Sequence, residues 1–82
     1  MKNEKQIKID GYKCIKLDEW KAEKVKYVIG KAEDEEFPLF YAKVQRVNDN
    51  DDLIDDDYIF EYDNKPKRSE VEDDFIDEWG QR

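Results

Sequence analysis

Phe37-Pro38-Leu39-Phe40-Tyr41-Ala42-Lys43-Val44, a polar block from Asn48 to Asp57, and Tyr58-Ile59-Phe60-Glu61-Tyr62 make up the stretch on which the fold turns. The two outer runs are rich in aromatic and β-branched residues, which suit a half-buried pleated surface. The block between them has eight polar or charged residues and resists burial. The pattern predicts a β-hairpin with a long acidic tip. Along Phe37 to Val47, Phe40, Ala42 and Val44 share one face, and Leu39 and Tyr41 the other. Pro38 donates no ladder hydrogen bond and belongs at the start of the strand or on an edge.

Working outward toward the N-terminus, residues 1–4 read as a frayed start. Ile7 and Ile9 flank Lys8 as a short first strand. Asp10-Gly11 signals a hairpin turn, and Tyr12 to Leu17 follows as a second strand. Tyr12 and Cys14 fall on one face, Ile15 and Leu17 near the other, so its register stays open. Asp18 to Glu23 is ambiguous, with Trp20 its one residue that calls for burial. Val25, Tyr27 and Ile29 alternate as a strand does. A single helix from Asp18 to Ala32 competes with that reading. Gly30 and the acids from Glu33 to Glu36 mark a loop.

Toward the C-terminus, 65–69 reads as a linker into a helix over 70–79. Ser69 and Glu72 have capping-box spacing. Glu70, Glu72, Asp73 and Asp74 complement the helix dipole in the first turn. Val71, Phe75 and Trp79 recur every four residues, with Ile76 beside them, as one narrow apolar stripe. Gly80 stands at the C-terminal cap position. Ten residues make too short a helix to persist alone in water, so the stripe must dock. The expected fold is α+β and β-rich: a single small domain over residues 1–82, with an antiparallel sheet of four to five strands and one C-terminal helix.

The 82 residues are 46% charged and 38% hydrophobic, which predicts a thin core. Eleven aromatic residues argue against disorder. Residues 1–31 carry nine Lys and five acids, net +4; residues 32–82 carry six Lys or Arg and eighteen acids, net −12; together they give −8. The field of the acidic part repels nucleic acid and attracts basic surfaces. Cys14 is the only cysteine, which rules out an internal disulfide and suits a reducing compartment. No apolar run approaches membrane-spanning length, and no secretion signal stands at the N-terminus. A soluble cytoplasmic protein is the expectation.

The chain has no His, no Thr and one Ser, so no catalytic triad or Cys–His pair is possible. One Cys without His excludes zinc sites built from those ligands. Isolated glycines form no phosphate loop. The acidic block fails the calcium-loop spacing in both frames. Starting at Asp49, the fifth and sixth positions are Leu53 and Ile54. Starting at Asn48, the sixth is Leu53 and the twelfth Ile59. No metal, no cofactor, no catalysis and no direct nucleic-acid binding are expected.

What remains is binding of another protein. Asp49, Asp51, Asp52, Asp55, Asp56 and Asp57 are the first candidates to meet a basic partner, with Asp73, Asp74, Asp77 and Glu78 second. Spaced carboxylates compete for the Lys and Arg rows of a nucleic-acid-binding protein. In composition the chain resembles small, often phage-encoded inhibitors of nucleases, repair enzymes or CRISPR effectors, a resemblance of type alone. The alternative is a docking module whose Val71, Phe75, Ile76 and Trp79 enter a partner's groove while the acids serve solubility.

Overall fold

The computed structural model describes residues 6–33, 39–54 and 57–79. The start at 1–4, Asp34, Glu35, Glu36, Phe37, Pro38, Asp55, Asp56 and Gly80 lie outside the described residues. Five strands precede one helix: β1 (Gln6–Ile9), β2 (Tyr12–Ala22), β3 (Val25–Ala32), β4 (Phe40–Arg46), β5 (Tyr58–Tyr62) and α1 (Arg68–Trp79). The strands form one antiparallel sheet in the order β1-β2-β3-β4-β5, so sequence neighbours are sheet neighbours throughout.

The β1–β2 turn has the conformation its residues suggest. Asp10 and Gly11 both take positive φ, 53° and 86°, the pair a type I′ turn demands. The ambiguous segment after it is strand, not helix: β2 runs on through Trp20 to Ala22. One irregularity explains its two-faced apolar pattern. Lys16 pairs with Gly30 but Asp18 with Ile29, leaving Leu17 as a bulged residue. An extra residue exchanges the faces of everything beyond it. Cys14 therefore joins a cluster with Ile9, Ala32 and Tyr41, while Trp20 packs against the separate cluster of Tyr27, Ile29, Ala42 and Val44.

Gly30, expected to mark a loop, is buried inside β3. A Cβ there would stand 3.0 Å from Cys14 Cβ and 3.0 Å from the Ile9 side chain. Glycine lets the β1–β2 hairpin curl close over the sheet. Tyr12 accordingly stacks on Tyr41 of β4, with centroids 5.4 Å apart. The opposite face receives α1 through Val71 and Phe75, both buried. Phase along β4 follows the sequence pattern, with Ala42 and Val44 toward the helix and Leu39 and Tyr41 toward the other cluster.

The helix begins two residues earlier than its Ser-x-x-Glu spacing predicts. Val71 N–H donates to the Lys67 carbonyl at 3.0 Å, and Glu70 reaches back to accept from Lys67 N–H at 3.3 Å. Glu70, not Glu72, thus makes the reciprocal half of a capping box, and Ser69 is an exposed first-turn residue. Pro66 is buried before it, and Val71 four residues into the helix is buried too, the two positions of a hydrophobic staple. The linker shrinks to 65–67.

Candidate functional site

The acidic tip is described from Asn48 to Ile54 and at Asp57, and its first part is a structured turn on an extended hairpin. β4 and β5 pair from Phe40↔Tyr62 to Val44↔Tyr58, and Val47 bridges to Leu53 beyond them. Between Val47 and Leu53, the Asn48 carboxamide oxygen accepts from the N–H groups of Asn50 and Asp52 at 2.8 and 3.0 Å. Asp51 takes φ 65° and donates its N–H to the Asn48 carbonyl. Such self-bonding is what makes Asn a turn residue.

The acids of this turn meet the chain's own lysines. Asp49 pairs with Lys24 at 2.8 Å, both groups well exposed, and Asp51 pairs with Lys21 of β2. The hydrogen bond from Lys21 holds the Asp51 carboxyl below its ordinary range. Asp57 accepts from the Gln45 amide at 3.0 Å, and Asp52 is exposed. Ion pairs this exposed contribute little to stability and exchange readily for a partner's cation.

The acids of α1 divide into two sets. Glu72 accepts from the Trp20 indole N–H at 2.8 Å, and Asp74 from the Tyr62 hydroxyl at 2.6 Å. Burial, and then the bond to Asp74, push the Tyr62 hydroxyl pKa far up. These two carboxylates fix the helix on the sheet. Asp73, Asp77 and Glu78 are exposed. At the start of α1, Arg68 makes a two-pronged contact with Asp18 at 2.8 Å and lies 4.9 Å over the Trp20 ring. That contact lowers the Asp18 pKa.

A groove of about 490 Å³ joins the two acid-bearing elements. Val47 and Ile54 from the turn side, Val25 from β3 and Phe75 from α1 line it, with Glu23 and Lys24 of the β2–β3 turn and Arg46 of β4. A neighbouring recess of about 280 Å³ shares Glu23, Val25 and Phe75 and continues to Glu72 and Ile76. Asp49, Asp51 and Asp52 thus stand at the same end of the sheet as the second half of α1. Glu33 does not join them: its N–H donates to the Lys13 carbonyl at the opposite end of β3. The turn acids therefore share an end of the sheet with Phe75 and Ile76 of α1, and Glu33 lies at the other end.

The apolar stripe is divided as well. Val71 and Phe75 are consumed by the sheet, whereas Ile76 is 60% exposed; of Trp79 only the helical backbone is described. Composition gave no hint of the exposed Leu53 and Ile54, 51% and 50% accessible, which sit inside the acidic block itself. Among the described residues no three His, Cys, Asp or Glu side chains gather as a metal ion requires, and no helix is long and apolar enough to cross a membrane. Cys14 is buried, which raises its thiol pKa. Compared with known proteins, the chain matches no family model, no curated protein and no solved structure.

Proposed function

We propose that the protein is a non-enzymatic binding module that engages a basic, nucleic-acid-binding protein and competes with its nucleic acid. The supporting observation is the groove that has the acidic β4–β5 turn on one side and the second half of α1 on the other. Val25, Val47, Ile54 and Phe75 line it together with Glu23, Lys24 and Arg46, and the turn acids Asp49, Asp51 and Asp52 lie in the chain between Val47 and Ile54. An apolar centre inside a charged rim is the usual anatomy of a protein-binding patch. The exposed turn acids attract Lys and Arg rows and speed encounter, while Ile54 and Ile76 offer area to bury. The inhibitor class suggested by composition, directed at nucleases, repair enzymes or CRISPR effectors, belongs to this proposal.

The test is affinity capture from a lysate at low salt, with added duplex DNA as competitor and identification by mass spectrometry. Retention of basic nucleic-acid-binding proteins that DNA displaces is the expected result. Retention of nothing, or of proteins indifferent to added DNA, overturns the reading.

A further inference from the structure

The recess between the β2–β3 turn and α1 differs in charge from the larger groove beside it. Among the described residues its charged lining consists of Glu23 and Glu72, with no Lys or Arg. The larger groove is also bordered by Lys24 and Arg46. Glu23 makes no hydrogen bond or ion pair among the described residues. Glu72 uses one carboxylate oxygen for the Trp20 indole and acts electrostatically on Arg68, which lies over that ring; its other oxygen accepts no hydrogen bond from a described residue. Both carboxylates raise the Tyr27 pKa after burial has done so, which places their charge close to the recess floor. Ala22, Val25 and Ile76 supply apolar wall, and Ile76 is 60% exposed.

An opening with apolar walls and two carboxylates fits a side chain with an apolar stem and a cationic head. Arginine meets this better than lysine, because its planar fork offers five donors that two carboxylates can share. We infer that the Glu23–Glu72 recess receives an arginine side chain of the partner protein, with its stem on Ile76 and its guanidinium between the two carboxylates. This rests on the protein-binding reading above and names the chemistry that gives it specificity. The exposed turn acids then steer the partner, and the recess fixes its register.

The test is a ¹⁵N NMR titration of the whole chain with an acetylated, amidated peptide of alternating arginine and glycine. The same peptide built with citrulline, the neutral isostere, is the control. Expected are saturable shifts centred on the amides of 22–25 and 72–76, absent with citrulline. Glu23→Gln with Glu72→Gln is expected to weaken the arginine peptide by about tenfold or more. Gln at position 72 retains an oxygen for the Trp20 indole, so the fold has no reason to change; Glu23→Gln alone is the second variant and weakens binding by a smaller factor. Shifts centred on 48–54, equal affinity of wild type and double variant, or no saturation each overturn the inference. So does a shift of the recess amides with protein concentration alone, which assigns the recess to a second copy. Arginine binding without DNA-competed capture sinks the proposed function and keeps the recess. Capture unaffected by the double variant does the reverse.

Discussion

Glu72 and Asp74 on α1, and Asp49 and Asp51 in the β4–β5 turn, belong to the same acidic part of the chain but meet different donors. The α1 pair accepts from an indole and a phenol, neutral groups that need a partner when half-buried. The turn pair meets ammonium groups of Lys24 and Lys21 in the open. Losing the first kind of contact strands a donor at the helix–sheet boundary. Losing the second returns two ions to water. Charge counted along the sequence treats the two pairs alike; the donor opposite each carboxylate decides whether it holds the fold or remains free for a partner.

The largest effect should come from removing the apolar packing that puts α1 in place. Phe75 stands edge-on to Tyr27 and Tyr58, with centroids 6.3 and 5.1 Å away. Phe75→Ala should cost about 3–5 kcal/mol, a large share of a small domain's stability. Urea denaturation followed by circular dichroism reads it. A loss below about 1 kcal/mol would mean that the carboxylate contacts, not the ring, dock the helix.

Next come those contacts themselves. Glu72→Ala and Asp74→Ala should each cost about 1–2 kcal/mol, because a partly buried donor loses a charged acceptor. Glu72→Gln and Asp74→Asn should recover most of this. Trp20 fluorescence should respond to Glu72→Ala and not to Asp49→Ala. Equal, small effects at all three positions would erase the distinction between the α1 and turn acids.

Much of this arrangement was legible in the sequence where the signal is local. Alternation placed β4 and β5, and the Val71–Phe75 spacing placed α1. The bulge at Leu17 was not legible, since nothing in Tyr12 to Ala22 says which residue goes unpaired; the partners in β3 decide it. Gly30 reads as a loop until the Ile9 and Cys14 side chains that crowd it are known. Ser69 is a good cap by composition, but buried Pro66 sets the chain's entry and Lys67 becomes the cap. The turn acids stand out in the sequence because they are contiguous. Glu23 and Glu72 do not, because only the docking of α1 beside the β2–β3 turn brings them to one recess.

A smaller effect is expected in acid. The Arg68 hydrogen bonds hold the folded Asp18 carboxyl below its ordinary range. A carboxyl lowered in the folded state adds stability above its unfolded pKa, near 4, and loses it as pH falls through the folded value. Asp18→Asn should therefore flatten the acid limb of the stability–pH curve and lower stability slightly at neutral pH. The alkaline limb has the opposite origin. Tyr62 is raised, so its contribution is full below about pH 10 and declines as pH rises above that. Tyr62→Phe should shallow that decline. An acid limb unchanged by Asp18→Asn would show that the Asp18–Arg68 pair does not tie α1 to β2.

The smallest stability effect belongs to the turn, and it is the one that separates stability from binding. Asp49→Asn with Asp51→Asn removes two exposed pairs while keeping the Asn48 bonds that shape the turn. Thermal unfolding should be unchanged at low and at high salt. Association with the captured partner should nonetheless slow, by roughly tenfold at low salt, and the difference should shrink as salt rises, because steering is screened. If the double variant unfolds early, the turn acids belong with Glu72 and Asp74 as structural groups. If it folds normally and binds at the wild-type rate, the acid that matters for encounter lies on α1, at Asp73, Asp77 or Glu78, and the comparison has to be drawn within the helix.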